Sequence, residues 1–453
     1  MEIVMLRPDW LVLLILLTSI SITVDGKVTS YTADESHAHL PVVTWWEAIS
    51  DQADYVISCK AEQRCVVSRN KTTPRRQEIM VYGFYGTLFL SSGLPLPRKA
   101  GDLWALIHEE SPKNTDWMFT FASVLEVFNY TATFQRGSDY PIPTHWLANE
   151  ESLLSKKYLI PTDRKNLLRR EEGLAPIIFV HTDCSTPSNR EQYVMMLQKY
   201  VHVDSYGDCL HNKDFPEEFK DLDGIAGYMK DNFLKLVARY KFAIAFENAR
   251  CEDYITEKLW RPLQAGTVPI VLGSPKVQEF LPSNKSAILV EDFSSIKELA
   301  EFIKHLDQND EEYESYLKFK DSGISNPTLK SELSRLPPAN FVGETFAKAL
   351  IGYECFLCDR VYEALEATGS GQPLPKAQAN QNHMNCPLPA TKFDENGHSV
   401  HDPLRDRELA FYHINAKLFR QSYDMGKNIS DHDLYIAATQ RWKEAEMEHK
   451  NEL

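Results

Sequence analysis

The clearest hydrophobic pattern in the chain lies in residues 240–273. Two apolar runs, at residues 242–246 and 268–272, have the length of buried strands. Between them, apolar residues recur every four positions from 255 to 263, the spacing of one helix face. Strand, helix and strand in this order predict a parallel βαβ unit. Ligands bind parallel sheets at the carboxyl ends of the strands, so the polar loop at residues 247–253 is the first candidate binding site.

Two blocks of the chain carry strand-like patterns. In the first block, apolar runs at residues 55–58, 79–82 and 104–107 are separated by turns that contain Gly and Pro. In the second block, strands and helices alternate from residue 176 to about 306. The charged segment at residues 150–173 joins the blocks, and we expect its basic residues to form a solvated helix face. The pattern therefore predicts two α/β domains.

Two features modify this pattern. Pro262 lies inside the central helix of the βαβ unit, and a proline removes one backbone hydrogen bond, so we expect the helix to end or kink near Arg261. Residues 352–385 predict a loop pinned by disulfides and then a flexible stretch. Helical spacing returns at residues 406–419 and 429–448.

Length and charge narrow the class of protein. With 453 residues, the chain exceeds the size at which a single hydrophobic core keeps growing, so its length predicts two domains. Its formal net charge of −15 argues against a nucleic-acid partner, whose phosphates require a basic face.

The N-terminus predicts entry into the secretory pathway. Residues 10–24 form an uncharged stretch that is short for a bilayer crossing and has the length of a signal-peptide core. We expect either a signal peptide ending near residue 26 or a short signal anchor in the membrane, which would give a single-pass type II protein. In both cases the rest of the chain is lumenal.

Three further features suit the endoplasmic reticulum or the Golgi. Eight cysteines suit an oxidising compartment. The chain ends in Lys-Asn-Glu-Leu at residues 450–453, which resembles the KDEL retrieval signal and predicts a retrieval receptor as a partner. Four Asn-X-Ser/Thr sequons predict N-glycosylation, at Asn70, Asn129, Asn284 and Asn428.

Five cysteines are candidates for structural disulfides: Cys59, Cys65, Cys355, Cys358 and Cys386. Cys59 and Cys65 are close enough in sequence to bridge each other, and Cys355 and Cys358 form a CxxC pair. In a secretory protein this pair favours disulfides over zinc, because no second pair with zinc-ligand spacing follows it. His383 keeps a metal site as the alternative, and the sequence leaves the connectivity open.

The βαβ unit carries a family resemblance. Its sequence FENARCEDYITEKLW, followed by VPIVLG, resembles the donor motif of the α1,3-fucosyltransferases, glycosyltransferase family ten. The resemblance implies a site for GDP-fucose. It also implies donor contacts from five residues, Arg190, Asn248, Tyr254, Glu257 and Lys258, with the two cations on the diphosphate. The alternative is an ordinary βαβ unit with a surface charge pair at Glu257 and Lys258.

A second motif, HEESPKN at residues 108–114, follows a predicted strand. In the family, the glutamate of an ESP motif at this place is the proposed catalytic base, which implies that role for Glu110. Adjacent strand residues face opposite ways, so at most one of Glu109 and Glu110 is expected to reach the reacting centre. The alternative is that both are solvated loop carboxylates. The family's Arg-Asp-Ser-Asp run reads Arg-Gly-Ser-Asp at residues 136–139.

Further segments resemble one subgroup of the family. ECFLCD, HMNCPLP, RPLQAG and PSNKSAILV are similar to segments of alpha-1,3-fucosyltransferases 10 and 11, which are reassigned as protein O-fucosyltransferases. This similarity implies inverting transfer to a Ser or Thr hydroxyl of secretory proteins. A GlcNAc hydroxyl of an N-glycan is the alternative acceptor, and a non-catalytic lumenal binding protein is the alternative of another class. The family is generally metal-independent, so no cofactor or metal is implied.

The resemblance implies a GT-B fold, with two Rossmann-like domains facing a cleft and a C-terminal disulfide-containing helical tail. The expected divisions are a signal peptide or anchor at residues 1–26, a stem at 27–50 and an acceptor-side domain at 51–150. A connection at 151–175, a GDP-fucose-binding domain at 176–350 and a C-terminal extension at 351–453 follow.

Overall fold

The computed structural model describes most of the chain after residue 28. Among the described residues, no helix is long and apolar enough to span a membrane. The N-terminal segment at residues 10–24 and the last two residues of the Lys-Asn-Glu-Leu ending lie outside them. The described ranges are 29–33, 35–46, 54–59, 63–71, 78–114, 117–222, 231–335, 345–386 and 392–451.

The first half is built on a seven-stranded sheet. The strand order is β1-β3-β4-β2-β5-β6-β7, and the five strands from β4 to β7 in that order pair in parallel. The predicted strand at residues 55–58 is confirmed, the run at 79–82 overlaps β5, which begins one residue later, and the run at 104–107 falls inside β6. The strands are β1 Thr29–Thr32, β2 Val42–Trp45, β3 Tyr55–Ser58, β4 Arg64–Ser68, β5 Met80–Tyr85, β6 Asp102–His108 and β7 Tyr130–Thr133.

The second half is built on a five-stranded parallel sheet with the order β12-β11-β10-β8-β9. From β8 the chain passes first to β9 on one side and then to β10 on the other. The direction therefore reverses between β8 and β10, and in such sheets the crevice at this point is where ligands bind. The strands are β8 Ile177–Phe179, β9 Val203–Ser205, β10 Phe242–Phe246, β11 Val268–Leu272 and β12 Ile288–Leu289.

Helices cover both sheets and form the C-terminal region. Together with the two sheets they confirm the predicted α/β class with a helical, disulfide-containing tail. The helices are α1 Ala122–Leu125, α2 Glu150–Leu154, α3 Thr162–Glu172, α4 Arg190–Leu197, α5 Asp231–Ala238, α6 Glu257–Ala265, α7 Ile296–Gln308, α8 Asp310–Glu314, α9 Phe319–Ser322, α10 Pro327–Arg335, α11 Thr345–Gly369, α12 Pro403–Asp424 and α13 Asp431–Asn451.

Helix α6 continues through Pro262 to Ala265, so the predicted end near Arg261 is wrong. Two buried lysines stabilise its C-terminal turn. The ammonium of Lys320 donates to the carbonyl of Gln264 at 3.0 Å. The ammonium of Lys165, only 2% exposed, donates to the carbonyl that follows the helix at 2.6 Å. Cations at a helix C-terminus satisfy orphan carbonyls and complement the helix dipole. The prediction that the basic residues of the connection are solvated is therefore wrong for Lys165.

Helix α11 packs on the first sheet and carries the CxxC pair. Cys59 bonds to Cys355, and Cys65 bonds to Cys358. Cys59 and Cys65, which are close enough in sequence to bridge each other, therefore do not, and the segment predicted as a pinned loop is helical up to residue 369. The physical reason is the helix itself, because residues three positions apart lie on one helix face. That face meets both Cys59, which directly follows β3, and Cys65 of β4.

The tail beyond α11 contacts both halves. A short hairpin, β13 Lys392–Phe393 and β14 Ser399–Val400, packs on α4 of the second half. The Phe393 ring lies 5.1 Å from that of Tyr193. Helices α12 and α13 pack against each other, and α12 packs on α1 of the first half. Both predicted tail helices are confirmed and are longer than the pattern indicated.

The four sequons differ in their surroundings. Asn70, Asn284 and Asn428 are exposed, although the Asn428 amide nitrogen donates to the Leu94 carbonyl at 3.0 Å. Asn129 is half-buried, with its amide nitrogen donating to the Ala377 carbonyl at 2.8 Å. Its amide oxygen accepts from the Trp104 backbone at 2.9 Å. A glycan is attached to the amide nitrogen, so a sugar on Asn129 would intrude into this network.

We predict glycans on Asn70 and Asn284 and none on Asn129. Enzymatic deglycosylation of the protein in heavy-oxygen water, followed by peptide mass spectrometry, should label Asn70 and Asn284 and leave Asn129 unlabelled. Asn129→Gln should lower the melting temperature, because it breaks buried hydrogen bonds worth about 1 kcal/mol each. Asn284→Gln is the matched control and should leave the melting temperature unchanged. A labelled Asn129 would contradict this assignment.

Candidate active site

Two loops at the carboxyl ends of strands form the candidate site. The first, called here the base loop, is residues 109–114 and follows β6 of the first half. The second, called here the donor loop, is residues 247–256 and joins β10 to α6. The two loops touch, since Glu110 of the base loop contacts Asn248 and Tyr254 of the donor loop. The site therefore lies between the halves, at the crevice that the second sheet creates.

The Glu110 carboxylate is held through one oxygen. Its Oε1 accepts from the Ser111 backbone at 2.7 Å, from the Asn248 side-chain amide at 3.0 Å and from the Tyr254 hydroxyl. Among the described residues, no hydrogen bond reaches Oε2. One oxygen thus fixes the orientation of the group while the other remains able to accept a proton. A positioned carboxylate of this kind suits general-base catalysis.

Glu109 has a different environment. Its Oε1 accepts from the Tyr85 hydroxyl at 2.8 Å, and its Oε2 is buried with no hydrogen-bond partner among the described residues. Burial raises the pKa of Glu109 to about 7. Glu109 is therefore not a solvated loop carboxylate. Its contact is with β5 of its own sheet, whereas Glu110 contacts the second half.

Glu257 and Lys258 form a half-buried ion pair at the start of α6. The Lys258 ammonium lies 3.1 Å from the Glu257 carboxylate and 3.6 Å from that of Glu247. Burial acts to lower the pKa of Lys258, but attraction to Glu257 and Glu247 outweighs it and raises that pKa. Burial acts to raise the pKa of Glu257, but Lys258 and Arg261 outweigh it and lower that pKa to about 2. Both groups are charged at neutral pH, and the pair is not an ordinary surface pair.

Arg190 is buried at the first turn of α4, at 3% exposure. Its guanidinium donates to the Phe246 carbonyl at 3.2 Å, and its Nε has no partner among the described residues. Burial, with repulsion from Arg190 and Lys258, lowers the pKa of His181 well below its ordinary value. Two cations therefore act on one buried region. Unsatisfied donors and clustered cations of this kind suit an anionic ligand such as a diphosphate.

The structure brings all six predicted site residues together. Asn248 and Tyr254 contact Glu110, Glu257 pairs with Lys258, and Arg190 acts on the same region. The amide oxygen of Asn248 is buried without a hydrogen-bond partner among the described residues. A hydrogen-bond donor on a bound ligand would satisfy it.

Glu247 is a site residue that the sequence reasoning missed. Its carboxylate accepts from the backbone and hydroxyl of Thr256, both at 2.9 Å, and so fixes the start of α6. Burial raises the pKa of Glu247 to about 6, against the opposing attraction of Lys258. The available signal was its place in the donor motif, between the strand and Asn248.

The Arg-Gly-Ser-Asp run at residues 136–139 makes contacts that explain why it departs from the family pattern. A side chain at Gly137 would place its Cβ 2.7 Å from the Asn382 carbonyl of the tail, so the tail requires glycine there. Asp139 accepts from the Thr131 backbone at 2.9 Å and supports β7. Arg136 contacts Asp253 of the donor loop at 2.7 Å, a contact that sequence reasoning also missed.

The last predicted disulfide cysteine joins the site to the tail. Cys386 bonds to Cys251 of the donor loop, so Cys386 is not a metal ligand beside His383. His383 instead contacts the Thr131 hydroxyl at 2.8 Å. Within the described ranges, no cluster of three or more His, Cys, Asp or Glu residues could hold a metal ion.

The chain matches two family models and is similar to several named proteins. Residues 37–145 match the family model "Fucosyltransferase, N-terminal", and residues 172–362 match "Glycosyltransferase family 10 (fucosyltransferase) C-term". GDP-fucose protein O-fucosyltransferase 3 of Gallus gallus is 40% identical over 420 residues, covering 90% of this chain and 85% of the relative. The Homo sapiens protein of that name is 42% identical over 351 residues, covering 77% and 71%. A solved α1,3-fucosyltransferase with GDP-fucose is 16% identical, with a TM-score of 0.40, covering 65% of this chain and 88% of that one.

Proposed function

Because the chain belongs to glycosyltransferase family 10, the fucosyltransferases, we propose that it transfers L-fucose from GDP-β-L-fucose to Ser or Thr hydroxyls of secretory proteins. The observation that carries this proposal is the contact of Glu110 with Asn248 and Tyr254. It places a carboxylate of the first half against the donor loop of the second half. An inverting transfer needs a base on the side of the sugar opposite the leaving group, and Glu110 is the residue that we propose for this role.

The proposed step is a single displacement. The acceptor oxygen attacks the anomeric carbon of fucose, its proton passes to Oε2 of Glu110, and the bond from that carbon to the diphosphate breaks. GDP leaves with the bonding electrons. Lys258 and Arg190 stabilise the negative charge that develops on the departing phosphate, because preorganised cations act strongly in a site that excludes water.

The relatives' names support a protein acceptor. Each protein O-fucosyltransferase named above is at least 40% identical to this chain. A GlcNAc hydroxyl of an N-glycan is the alternative acceptor. A non-catalytic binding protein is not favoured, because Glu110 and the Glu257–Lys258 pair are both retained, and a protein that only bound the donor would not need the base.

The acceptor is tested by incubating the secreted enzyme with labelled GDP-fucose and folded secretory proteins. We expect label on Ser or Thr, stable to an N-glycosidase and located by peptide mass spectrometry. Label that an N-glycosidase removes completely would support the glycan acceptor.

Transfer should continue in EDTA, because Lys258 and Arg190 supply the positive charge. Complete loss of transfer in EDTA would support a required metal.

Glu110→Gln should lower turnover by about 10²–10⁴, the usual contribution of general-base catalysis. GDP binding, measured by calorimetry, should be nearly unchanged because the substitution keeps an oxygen for Asn248 and Tyr254. Lys258→Ala should weaken GDP binding as well as turnover.

Glu109→Gln is the matched control for this measurement. It preserves the shape and the acceptor for the Tyr85 hydroxyl, so turnover should stay close to that of the unsubstituted enzyme. A Glu110→Gln enzyme with normal turnover would show that another group accepts the proton.

We propose that the enzyme is held in the early secretory pathway by its Lys-Asn-Glu-Leu ending. Deleting residues 450–453 should move the protein towards the late Golgi or the medium, as measured by fractionation and immunofluorescence. Replacing the ending with Lys-Asp-Glu-Leu is the control and should preserve the distribution. If the deletion changes nothing, the N-terminal segment determines the location.

A further inference from the structure

We infer that Arg136 and Asp253 form a positioning pair, which holds Tyr254 and thereby orients Glu110 for fucosyl transfer. The inference rests on the proposed function, because it assigns a role to residues that act through the proposed base. Neither residue is placed to accept the acceptor's proton. Their contacts instead connect the first half to the donor loop.

The Asp253 carboxylate is the centre of this connection. It is 1% exposed and accepts three hydrogen bonds from the first half. The Arg136 guanidinium lies 2.7 Å from Oδ1, the Arg136 backbone donates to Oδ2 at 3.1 Å, and the Gln135 amide donates to Oδ2 at 3.3 Å. A buried carboxylate with several donors is strongly fixed, because losing any partner leaves a buried charge unsatisfied.

The backbone of Asp253 sets the direction of Tyr254. Asp253 has a φ of 59°, in the left-handed region that Asp and Asn tolerate better than most residues. Its backbone N–H donates to the Ser274 hydroxyl at 3.0 Å. The resulting turn places the Tyr254 ring edge-on against Phe134, with 5.0 Å between centroids, and its hydroxyl on Glu110.

Arg136 is itself held from two other directions. Its second nitrogen lies 2.5 Å from the Glu279 carboxylate, and its guanidinium stacks 5.2 Å from the centre of the Phe280 ring. Both partners belong to the second half. The arginine therefore joins the edge of the first sheet to two separate segments of the second half.

The first sheet fixes the position of Arg136 relative to Glu110. Strands β6 and β7 pair in parallel, with His108 opposite Thr133. Glu110 follows β6 and Arg136 follows β7, so the two side chains leave neighbouring strands at the same edge. Arg136 anchors the donor loop to the edge from which the base projects. Loss of the pair should move Tyr254 away from Glu110 without removing a contact to the donor diphosphate.

The test uses Arg136→Gln and Asp253→Asn in the full chain; Asn tolerates the left-handed conformation and keeps the size of the side chain. We expect kcat to fall about 10²-fold in each variant, the scale of a small misplacement of a catalytic group. The Kd for GDP should stay within about twofold. The double variant should be no slower than either single variant, because the two residues act as a unit.

Arg239→Gln is the matched control. Arg239 also pairs with two acids, Glu172 and Glu218, and stacks 5.4 Å from the Phe219 ring, but it lies away from the site. It should cost similar thermal stability and leave kcat unchanged. In a Tyr254→Phe background, Arg136→Gln should cause no further loss of kcat, because the hydroxyl through which it acts is already absent.

Hydrogen exchange separates this inference from the proposed function. Arg136→Gln should accelerate amide exchange in the donor loop, whereas Arg239→Gln should not. If the unsubstituted enzyme transfers no fucose to any acceptor, the proposed function fails while the exchange result still tests the pair. Unchanged exchange, a kcat equal to that of Arg239→Gln, or additive losses in the double variant would each overturn the inference.

Discussion

Three residues of the donor loop are each at most 1% exposed and pack in a hydrophobic cluster with aromatic rings of the first half. The loop residues are Ala249, Cys251 and Tyr254, and the rings are those of Phe119, Phe128 and Phe134. A loop that belongs to one domain by sequence thus completes the core of the other. Burial of apolar surface is the main stabilising contribution to folding, so the halves are joined by the interaction that stabilises each of them. The position of the donor site relative to Glu110 depends on this shared core.

The charged groups of the site lose hydration when they are buried, and their hydrogen-bond and ion-pair partners offset part of that cost. Lys258, Glu257, Glu247 and Arg190 are ionisable groups in a region from which water is largely excluded, and isolated ions there would be strongly unfavourable. Each has an opposite charge or a backbone partner within hydrogen-bond reach, which lowers that cost. The imbalance that remains is local: Arg190 Nε has no hydrogen-bond partner among the described residues, and the positive charge of Arg190 acts on Lys258. Such a site gains most when an anion supplies the missing partner.

Local patterns in the sequence predicted local structure well. Strands β3, β10 and β11 have the predicted bounds, because short apolar runs between turn residues have few other stable conformations. The candidate residues converged because they lie in one motif and at strand ends. Contacts between distant residues could not be predicted in this way. The partners of Cys59 and Cys65 lie almost 300 residues further along the chain. The two shortest hydrogen bonds of Lys165 go to backbone carbonyls, which leave no sequence signal. The contact between Arg136 and Asp253 depends on how the halves meet.

The disulfides between strands β3 and β4 and helix α11 also constrain how the protein is made. Cys59 and Cys355 are 296 positions apart, so the first cysteine is synthesised long before its partner. At about 5–20 residues per second, the delay is on the order of tens of seconds. During that time Cys59 and Cys65 are near neighbours with no other native partner available. The first half therefore completes its covalent structure only after the second half has been synthesised, and a premature bond between the two early cysteines would have to be reversed by thiol–disulfide exchange before the native pairs can form.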